Sequence, residues 1–112
     1  MHEYSIVQAL VDRIEHEARA RGARSVERVV VRIGDLSGVD AELLQTAYLT
    51  FRDRTVCEHA PLEIARVEAE WACTGCRRRI RHHTSLRCGC GGAAQLLQGD
   101  EIVLESLEME VA

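Results

Sequence analysis

The sequence predicts a small α+β protein in which two helices pack on a three-stranded sheet, with a cysteine module inserted before the last strand. Two segments with helical apolar spacing, three segments with strand character and a late CxxC…CxC pattern indicate this fold. At 112 residues the chain has the length of one typical domain. We expect residues 1–70 and 97–112 to form the α/β part and residues 71–96 to form a zinc-ribbon-like module.

The first two elements are a helix and a strand. Apolar residues recur at helical spacing over residues 6–18, with Ser5 placed to cap this helix and Gly22 placed to end it. The segment VERVVVRI (residues 26–33) then alternates and predicts a half-buried strand. The residues expected on its buried face are Val29, Val31 and Ile33.

A second helix and two further strands complete the α/β part. Asp40 is placed to cap the helix, since its side chain can accept from the first backbone N–H groups. The expected inner face of this helix comprises Leu43, Leu44, Ala47, Tyr48 and Phe51. After Pro61, the segment LEIARVEAE (62–70) predicts a strand whose apolar phase slips near Ala65, which allows a bulge. DEIVLESLEMEVA (100–112) predicts the last strand.

Charge is divided unevenly along the chain. The formal net charge is −4, which gives no global reason to expect nucleic-acid binding. Residues 71–92 nevertheless hold five arginines and no acid, whereas the remaining residues hold nine arginines against eighteen acids. No apolar run approaches the ~20 residues that cross a bilayer, and the N-terminus lacks the pattern of a signal peptide. We therefore expect a cytoplasmic protein with reduced cysteines.

The cysteine spacing predicts a metal site. Cys73-x-x-Cys76 is followed after eleven residues by Cys88-Gly-Cys90, and two thiolate pairs on a short hairpin can supply four ligands to tetrahedral zinc. The module has too few apolar residues to fold by burial, so metal ligation would have to stabilise it. Cys57 stands apart and is expected to be a small semi-buried residue.

Several alternatives stay open for this module. His82 or His83 can replace one thiolate, because a single residue separates the second pair, and the same ligands can hold iron. A thiol oxidoreductase would require a helix after Cys76, where RRRIRHH has no helical pattern. The run Arg77–Arg81 can bind nucleic acid or an acidic partner, although Trp71 is the one aromatic residue near it for stacking on a single strand.

The first three residues form a possible nitrogen chelate. A large residue at position 2 blocks methionine removal, so the Met1 amine and the His2 amide nitrogen can close a five-membered ring on a metal. The His2 amide and imidazole Nδ1 close a six-membered ring, and the Glu3 amide nitrogen can complete a plane. Planar nitrogen ligands suit Ni(II) or Cu(II). Taken alone, a histidine at position 2 is also typical of a frayed terminus.

Four segments carry a resemblance to a known family. MHEYSIVQALV, VVVRIGDLSGVDAELL, WACTGC and GDEIVLESLEME strongly resemble the HypA/HybF family of nickel metallochaperones, which serve nickel–iron hydrogenase maturation. The resemblance covers nearly the whole chain and implies an α/β nickel-binding domain with an inserted zinc domain. It implies that His2 carries nickel with the Met1 amine and nearby amides. The implied zinc ligands are Cys73, Cys76, Cys88 and Cys90, although the family's second pair usually reads Cys-Pro-x-Cys-Gly.

The functional prediction is a non-enzymatic nickel carrier. Ni(II) would be the cargo at Met1, His2 and Glu3, and Zn(II) would be structural. The resemblance implies two partners, a nickel-inserting GTPase and the hydrogenase large-subunit precursor. We expect a monomer or weak homodimer that binds neither nucleic acid nor membrane. The alternative is a zinc-ribbon module that binds nucleic acid or protein through Arg77–Arg81.

Overall fold

A computed structural model describes residues 2–80 and 88–111. Within these ranges the chain forms two helices and six strands. In chain order they are α1 (His2–Ala20), β1 (Ala23–Gly34), α2 (Ala41–Phe51), β2 (Leu62–Val67), β3 (Glu70–Cys73), β4 (Arg79–Ile80), β5 (Ala94–Gln98) and β6 (Ile102–Val111).

The first sheet has the order β2-β1-β6. Its central strand β1 pairs in parallel with β2 and antiparallel with β6. A parallel pair needs a crossover connection, and α2 supplies it between β1 and β2. Both helices pack on this sheet, so the predicted fold class is confirmed. Neither helix of the described chain is long and apolar enough to span a bilayer.

The core lies between the two helices and β1. Alternation along β1 buries its predicted face, and helical spacing buries one side of each helix. The largest fully buried side chain is Tyr48, whose hydroxyl donates a hydrogen bond to the Ala60 carbonyl at 2.8 Å. The prediction for Leu43 is wrong, because it lies one residue before buried Leu44 and points outward with 54% of its surface exposed.

Three residues were predicted to start or end the helices, and the structure confirms two of them, Asp40 and Gly22. Asp40 caps α2, with Oδ1 accepting from the backbone N–H of Glu42 and Leu43 at 2.9 and 3.1 Å. Gly22 follows α1 with a φ of +65°, a left-handed conformation that suits glycine. Ser5 is not the cap of α1, since that helix already begins at His2.

The second predicted strand is divided in two. β2 ends at Val67, and Glu70 opens β3, the central strand of a second sheet with the order β4-β3-β5. The pairing of β2 with β1 is regular from Leu62 to Val67, so the slip near Ala65 is not a bulge. In the second sheet, Trp71 lies opposite residues of both neighbouring strands.

Candidate metal centre

Four cysteines converge at one end of the second sheet. Cys73 ends β3, Cys76 follows in a turn, and Cys88 and Cys90 flank a second turn at Gly89. Their sulfur atoms all lie within 4.8 Å of one another, with Sγ–Sγ distances of 3.4 Å for Cys73–Cys90 and 3.5 Å for Cys76–Cys88. Tetrahedral Zn–S bonds of about 2.3 Å place sulfurs about 3.8 Å apart. The cluster is consistent with a structural zinc site.

The first turn is shaped by hydrogen bonds to sulfur. Cys73 Sγ accepts from the backbone N–H of Gly75 at 3.3 Å and from that of Cys76 at 3.4 Å. The backbone N–H and the hydroxyl of Thr74 both donate to the Ala93 carbonyl, at 3.0 and 3.1 Å. These bonds fix the first cysteine pair against the start of β5.

The second turn depends on glycine. The Cys88 N–H donates to the Gly92 carbonyl at 3.1 Å, and the Gly91 N–H donates to the Cys88 carbonyl at 2.9 Å. A Cβ at Gly92 would lie within 3.0 Å of Cys73 Sγ and 3.4 Å from Cys90 Sγ. Gly92 therefore lets the chain pass close to the sulfurs, and the short Cys88-Gly-Cys90 spacing still presents both thiols to the cluster.

The thiols influence one another electrostatically. The backbone N–H of Cys76 and that of the preceding glycine lower the pKa of Cys73 to about 6. The Gly92 N–H lowers the pKa of Cys90, but the neighbouring thiols outweigh it and raise that pKa to about 11. Four adjacent thiolates repel one another, and a divalent cation among them removes this penalty. The arrangement of the four thiols thus favours the binding of a divalent cation that accepts soft sulfur ligands.

The competing interpretations of the module gain little support. His82, His83 and Arg81 lie outside the described residues, whereas four thiols by themselves complete a tetrahedral set. Past Cys76, the described chain enters the short strand β4, not the helix that a thioredoxin-type dithiol requires. Trp71 is half-buried in a central strand and is therefore poorly placed to stack on a base.

Cys57 belongs to the core and not to the cluster. It is completely buried, where a semi-buried position had been expected, and burial raises the pKa of its thiol. Its backbone N–H donates to the Thr55 hydroxyl at 3.1 Å. This cysteine therefore packs within the hydrophobic core.

The N-terminal residues lie at the start of α1. Met1 is outside the described residues, and His2 is the first residue of the helix. The side chain of Glu3 is buried, and its Oε2 accepts a hydrogen bond from the backbone N–H of Asp40 at 3.1 Å. This bond lowers the pKa of Glu3. The structure thus brings together Glu3 and Asp40, which are 37 residues apart in the sequence.

Sequence reasoning missed the contact between Glu3 and Asp40. It considered Glu3 as a nickel ligand and Asp40 as a cap, or as an additional ligand if its loop folds near the N-terminus, but it did not predict a hydrogen bond between the two residues. The sequence signal for this contact was Glu3, an acid in the first turn of α1. Acids are common there because they interact favourably with the helix dipole, so the signal does not indicate a tertiary contact.

Comparison with known proteins gives a consistent result across the chain. Residues 1–109 match the family model described as "Hydrogenase/urease nickel incorporation, metallochaperone, hypA". The chain belongs to the HypA family. It is 42% identical to the hydrogenase maturation factor HypA of Aquifex aeolicus over 114 residues, covering 99% of both chains. It is 39% identical to that of Shewanella halifaxensis over 115 residues, covering all of both.

Solved structures agree with the HypA assignment. The solution structure of the Ni metallochaperone HypA from Helicobacter pylori is 35% identical, with a TM-score of 0.76 over 98% of each chain. A second solution structure of a HypA protein is also 35% identical, with a TM-score of 0.81 over 100% of this chain and 98% of that one. The predicted family is confirmed, and it is a family of nickel metallochaperones, accessory proteins of hydrogenase maturation.

Proposed function

We propose that the protein carries Ni(II) at its N-terminus and delivers it during hydrogenase maturation, without being an enzyme. The nickel ligands are the Met1 amine, the amide nitrogen and imidazole of His2, and the amide nitrogen of Glu3. The observation that carries the proposal is the start of α1 at His2, with Glu3 hydrogen-bonded to the Asp40 N–H. His2 and Glu3, whose amide nitrogens are proposed ligands, are thereby the first residues of a helix that is anchored to the start of α2.

The beginning of a helix suits amide ligation. The first four N–H groups of an α-helix have no carbonyl partner within the helix, and His2 and Glu3 occupy the first two positions of α1. Their amide nitrogens can each release a proton to solvent and bind a metal without breaking the helical hydrogen-bond ladder. Two fused chelate rings of nitrogen ligands give the planar set that Ni(II) accepts and that Zn(II) does not require.

The Glu3 side chain has an anchoring role in this proposal. Its carboxylate accepts from the Asp40 N–H at the start of α2, so Glu3 supplies nickel with a backbone nitrogen while its side chain holds the first turn in place. The Asp40 carboxylate accepts from two amides of α2 and thereby acts as a cap. Preorganisation of this kind reduces the ordering cost of binding.

Release of nickel follows from acid–base chemistry. An ordinary imidazole has a pKa of about 6.5, and its protonation competes with metal binding. The hydrogen bond from Asp40 holds the pKa of Glu3 below its usual value, so this carboxylate remains ionised when the imidazole protonates. Mild acidification therefore releases nickel while the first turn of α1 stays docked.

Zinc has a separate, structural role in the proposal. Cys73, Cys76, Cys88 and Cys90 hold Zn(II), which stabilises the module of residues 71–96, while residues 1–70 and 97–112 form the nickel-binding domain. The converging sulfurs and the scarcity of buried apolar side chains in the module support this assignment.

The clients follow from the family. Relatives are named hydrogenase maturation factors, so we place this protein with the hydrogenase maturation machinery. The nickel-inserting GTPase and the hydrogenase large-subunit precursor are the proposed partners, met in the cytoplasm by a monomer or weak homodimer. Binding to nucleic acid or membrane is not part of this function.

The test uses zinc-loaded protein with a native N-terminus, titrated with Ni(II) by calorimetry and absorption spectroscopy. One added N-terminal residue removes the amine from its chelate ring, and His2→Ala removes the imidazole, so we expect both variants to lose nickel binding. Zinc content and circular dichroism should be unchanged. His16→Ala is the matched control, because His16 is exposed on the same helix. Equal nickel binding by all four proteins would contradict the proposal.

A further inference from the structure

Three segments of backbone cross where β1 ends. Gly34 is the last residue of β1, residues 68–69 link β2 to β3, and residues 99–101 link β5 to β6. The two links are the described connections between the sheets, and both pass against this strand end. The Asp35 N–H donates to the Val67 carbonyl at 2.9 Å. We call this place the glycine crossing.

The crossing has room for backbone only. A Cβ at Gly34 would lie 2.7 Å from Asp100 N and even closer to the Gly99 carbonyl. A Cβ at Gly99 would lie 2.5 Å from Ala69 Cα and 3.1 Å from the Glu68 carbonyl oxygen. All of these neighbours are main-chain atoms, which cannot turn aside as a flexible side chain can. Gly99 is also buried and has a φ of +113°, which other residues rarely adopt.

Short hydrogen bonds join the segments at the same place. The Leu36 N–H donates to the Gly99 carbonyl at 2.6 Å, and the Gly34 N–H donates to the Glu101 carbonyl at 2.8 Å. The chain that leaves the cysteine module is thereby bonded to the chain that leaves β1.

The segment after the crossing leads directly to the anchor of α1. The Ser37 N–H donates to the Gly34 carbonyl at 3.0 Å, and the Val39 N–H donates to Ser37 Oγ at 3.3 Å. The next residue is Asp40, whose N–H holds the Glu3 carboxylate. A short turn with internal hydrogen bonds therefore spans the distance from the crossing to the first turn of α1.

We infer that Gly34 and Gly99 are positioning residues that fix the cysteine module against β1 and, through the turn at residues 35–40, hold the anchor of the nickel-binding N-terminus. The part of the inference that concerns nickel rests on the proposed function, and the part that concerns the Asp40 amide does not. A side chain at either glycine would push the turn away from Glu3 and leave the fold of each sheet intact.

Three alanine variants separate close packing from strain. Gly34→Ala and Gly99→Ala each add a Cβ that would clash with main-chain atoms of a neighbouring segment. Gly22→Ala is the matched control, because Gly22 has a φ of +65° but nothing within 4 Å of the added Cβ. Amide hydrogen exchange then reports on the turn. We expect faster exchange at Leu36 and Asp40 in the two crossing variants. The amide of Val26, near the other end of β1, donates to the Val56 carbonyl in the connection between α2 and β2 and should not change.

Nickel binding supplies the readout that a purely structural role would not change. In zinc-loaded protein we expect about tenfold weaker nickel binding for Gly34→Ala and Gly99→Ala, the scale of a typical coupling between sites. Zinc content should remain complete, and Gly22→Ala should bind nickel like the wild type even though the strain lowers its melting temperature.

Each outcome decides the inference. Unchanged exchange at Asp40 in folded crossing variants would overturn it, and faster exchange with unaltered nickel affinity would overturn its functional part. If neither variant folds, zinc removal from the wild type replaces them, and unchanged exchange at Leu36 and Asp40 would then be the contrary result. If the wild type itself fails to bind nickel, the proposed function fails, and the exchange data still decide the role of the crossing.

Discussion

The two sheets have the same number of strands and are stabilised in different ways. In the described chain, the buried apolar residues from Val7 to Leu62 all belong to the first sheet, its two helices and their connections. The second sheet adds only Cys73 to the buried set. A sheet without its own core needs another source of stability, and the converging cysteines supply a site for one.

The difference explains how one short chain serves two purposes. Burial gives the first sheet a rigid frame on which the N-terminus can be placed. In the proposed function the second sheet derives its order from zinc–thiolate bonds, so its stability would depend on metal supply and on the protonation of the thiols. Away from the glycine crossing, a substitution in one half should therefore leave the other half folded.

The largest effect is expected from Cys73→Ser. The change removes a ligand from a structural site worth about 10–16 kcal/mol in small zinc modules, so zinc should be lost and the module should unfold. The two helices packed on the first sheet should remain folded, so the helical circular dichroism signal should be unchanged. Cys57→Ala is the control, since it removes a buried thiol outside the cluster, and it should retain full zinc in a colorimetric metal assay. Equal zinc loss in both variants would contradict the conclusion that the second sheet depends on the cysteine cluster and the first on its core.

A core substitution should produce the opposite pattern. Leu44 is fully buried on the inner face of α2, so Leu44→Ala should lower the free energy of unfolding of the first sheet by about 2–5 kcal/mol. The exposed neighbour Leu43 gives a matched control on the same helix, and Leu43→Ala should cost much less. Urea denaturation followed by circular dichroism measures both. Zinc loss at native conditions in Leu44→Ala would show that the core of the first sheet also determines metal retention by the module.

Alkaline pH should weaken the first sheet through Cys57. Burial raises the pKa of this thiol in the folded state, so an unfolded chain releases its proton first, above about pH 8.5. Stability contributed by the neutral thiol is complete below that pH and is lost as the pH rises towards the folded pKa, by at most about 1.4 kcal/mol per pH unit. Urea melts at pH 7.5 and 9.5 should show this loss in the wild type and a smaller one in Cys57→Ala. Identical slopes would exclude the thiol as the cause.

The smallest effect is expected on the outer face of the first sheet. Arg28 there contacts Glu63 and lies 2.6 Å from Glu108, but all three side chains are about half exposed. Arg28→Gln should change the free energy of unfolding by about 0–1 kcal/mol, and salt should reduce the change. Arg24→Gln is the control, because Arg24 makes no ion pair with the described residues. A difference above about 2 kcal/mol at high salt would mean that these pairs matter more than exposed pairs do.

Local patterns predicted the first sheet well. Alternation identified the buried face of β1, and Asp40 and Gly22 gave a helix start and a helix end, because these signals depend on neighbours in the sequence. The cysteine spacing predicted the cluster for the same reason, since each pair lies within one turn.

Long-range contacts account for the errors. Ser5 resembled a cap, but the bond between Glu3 and Asp40 joins residues far apart in the sequence and accompanies a helix that begins at His2. The strand predicted to continue to Glu70 breaks after Val67, where the chain passes Gly99. Neither contact leaves a periodic trace in the sequence.

The position of β6 has a consequence for the order of folding. This last strand pairs with the centre of the first sheet, so the ribosome must synthesise the whole module before the sheet can be completed. Closing a loop costs more entropy as the loop lengthens. A metal ion that ties the module together shortens the free chain between β2 and β6, so a newly made protein that acquires zinc early has less entropy to lose when its final strand joins.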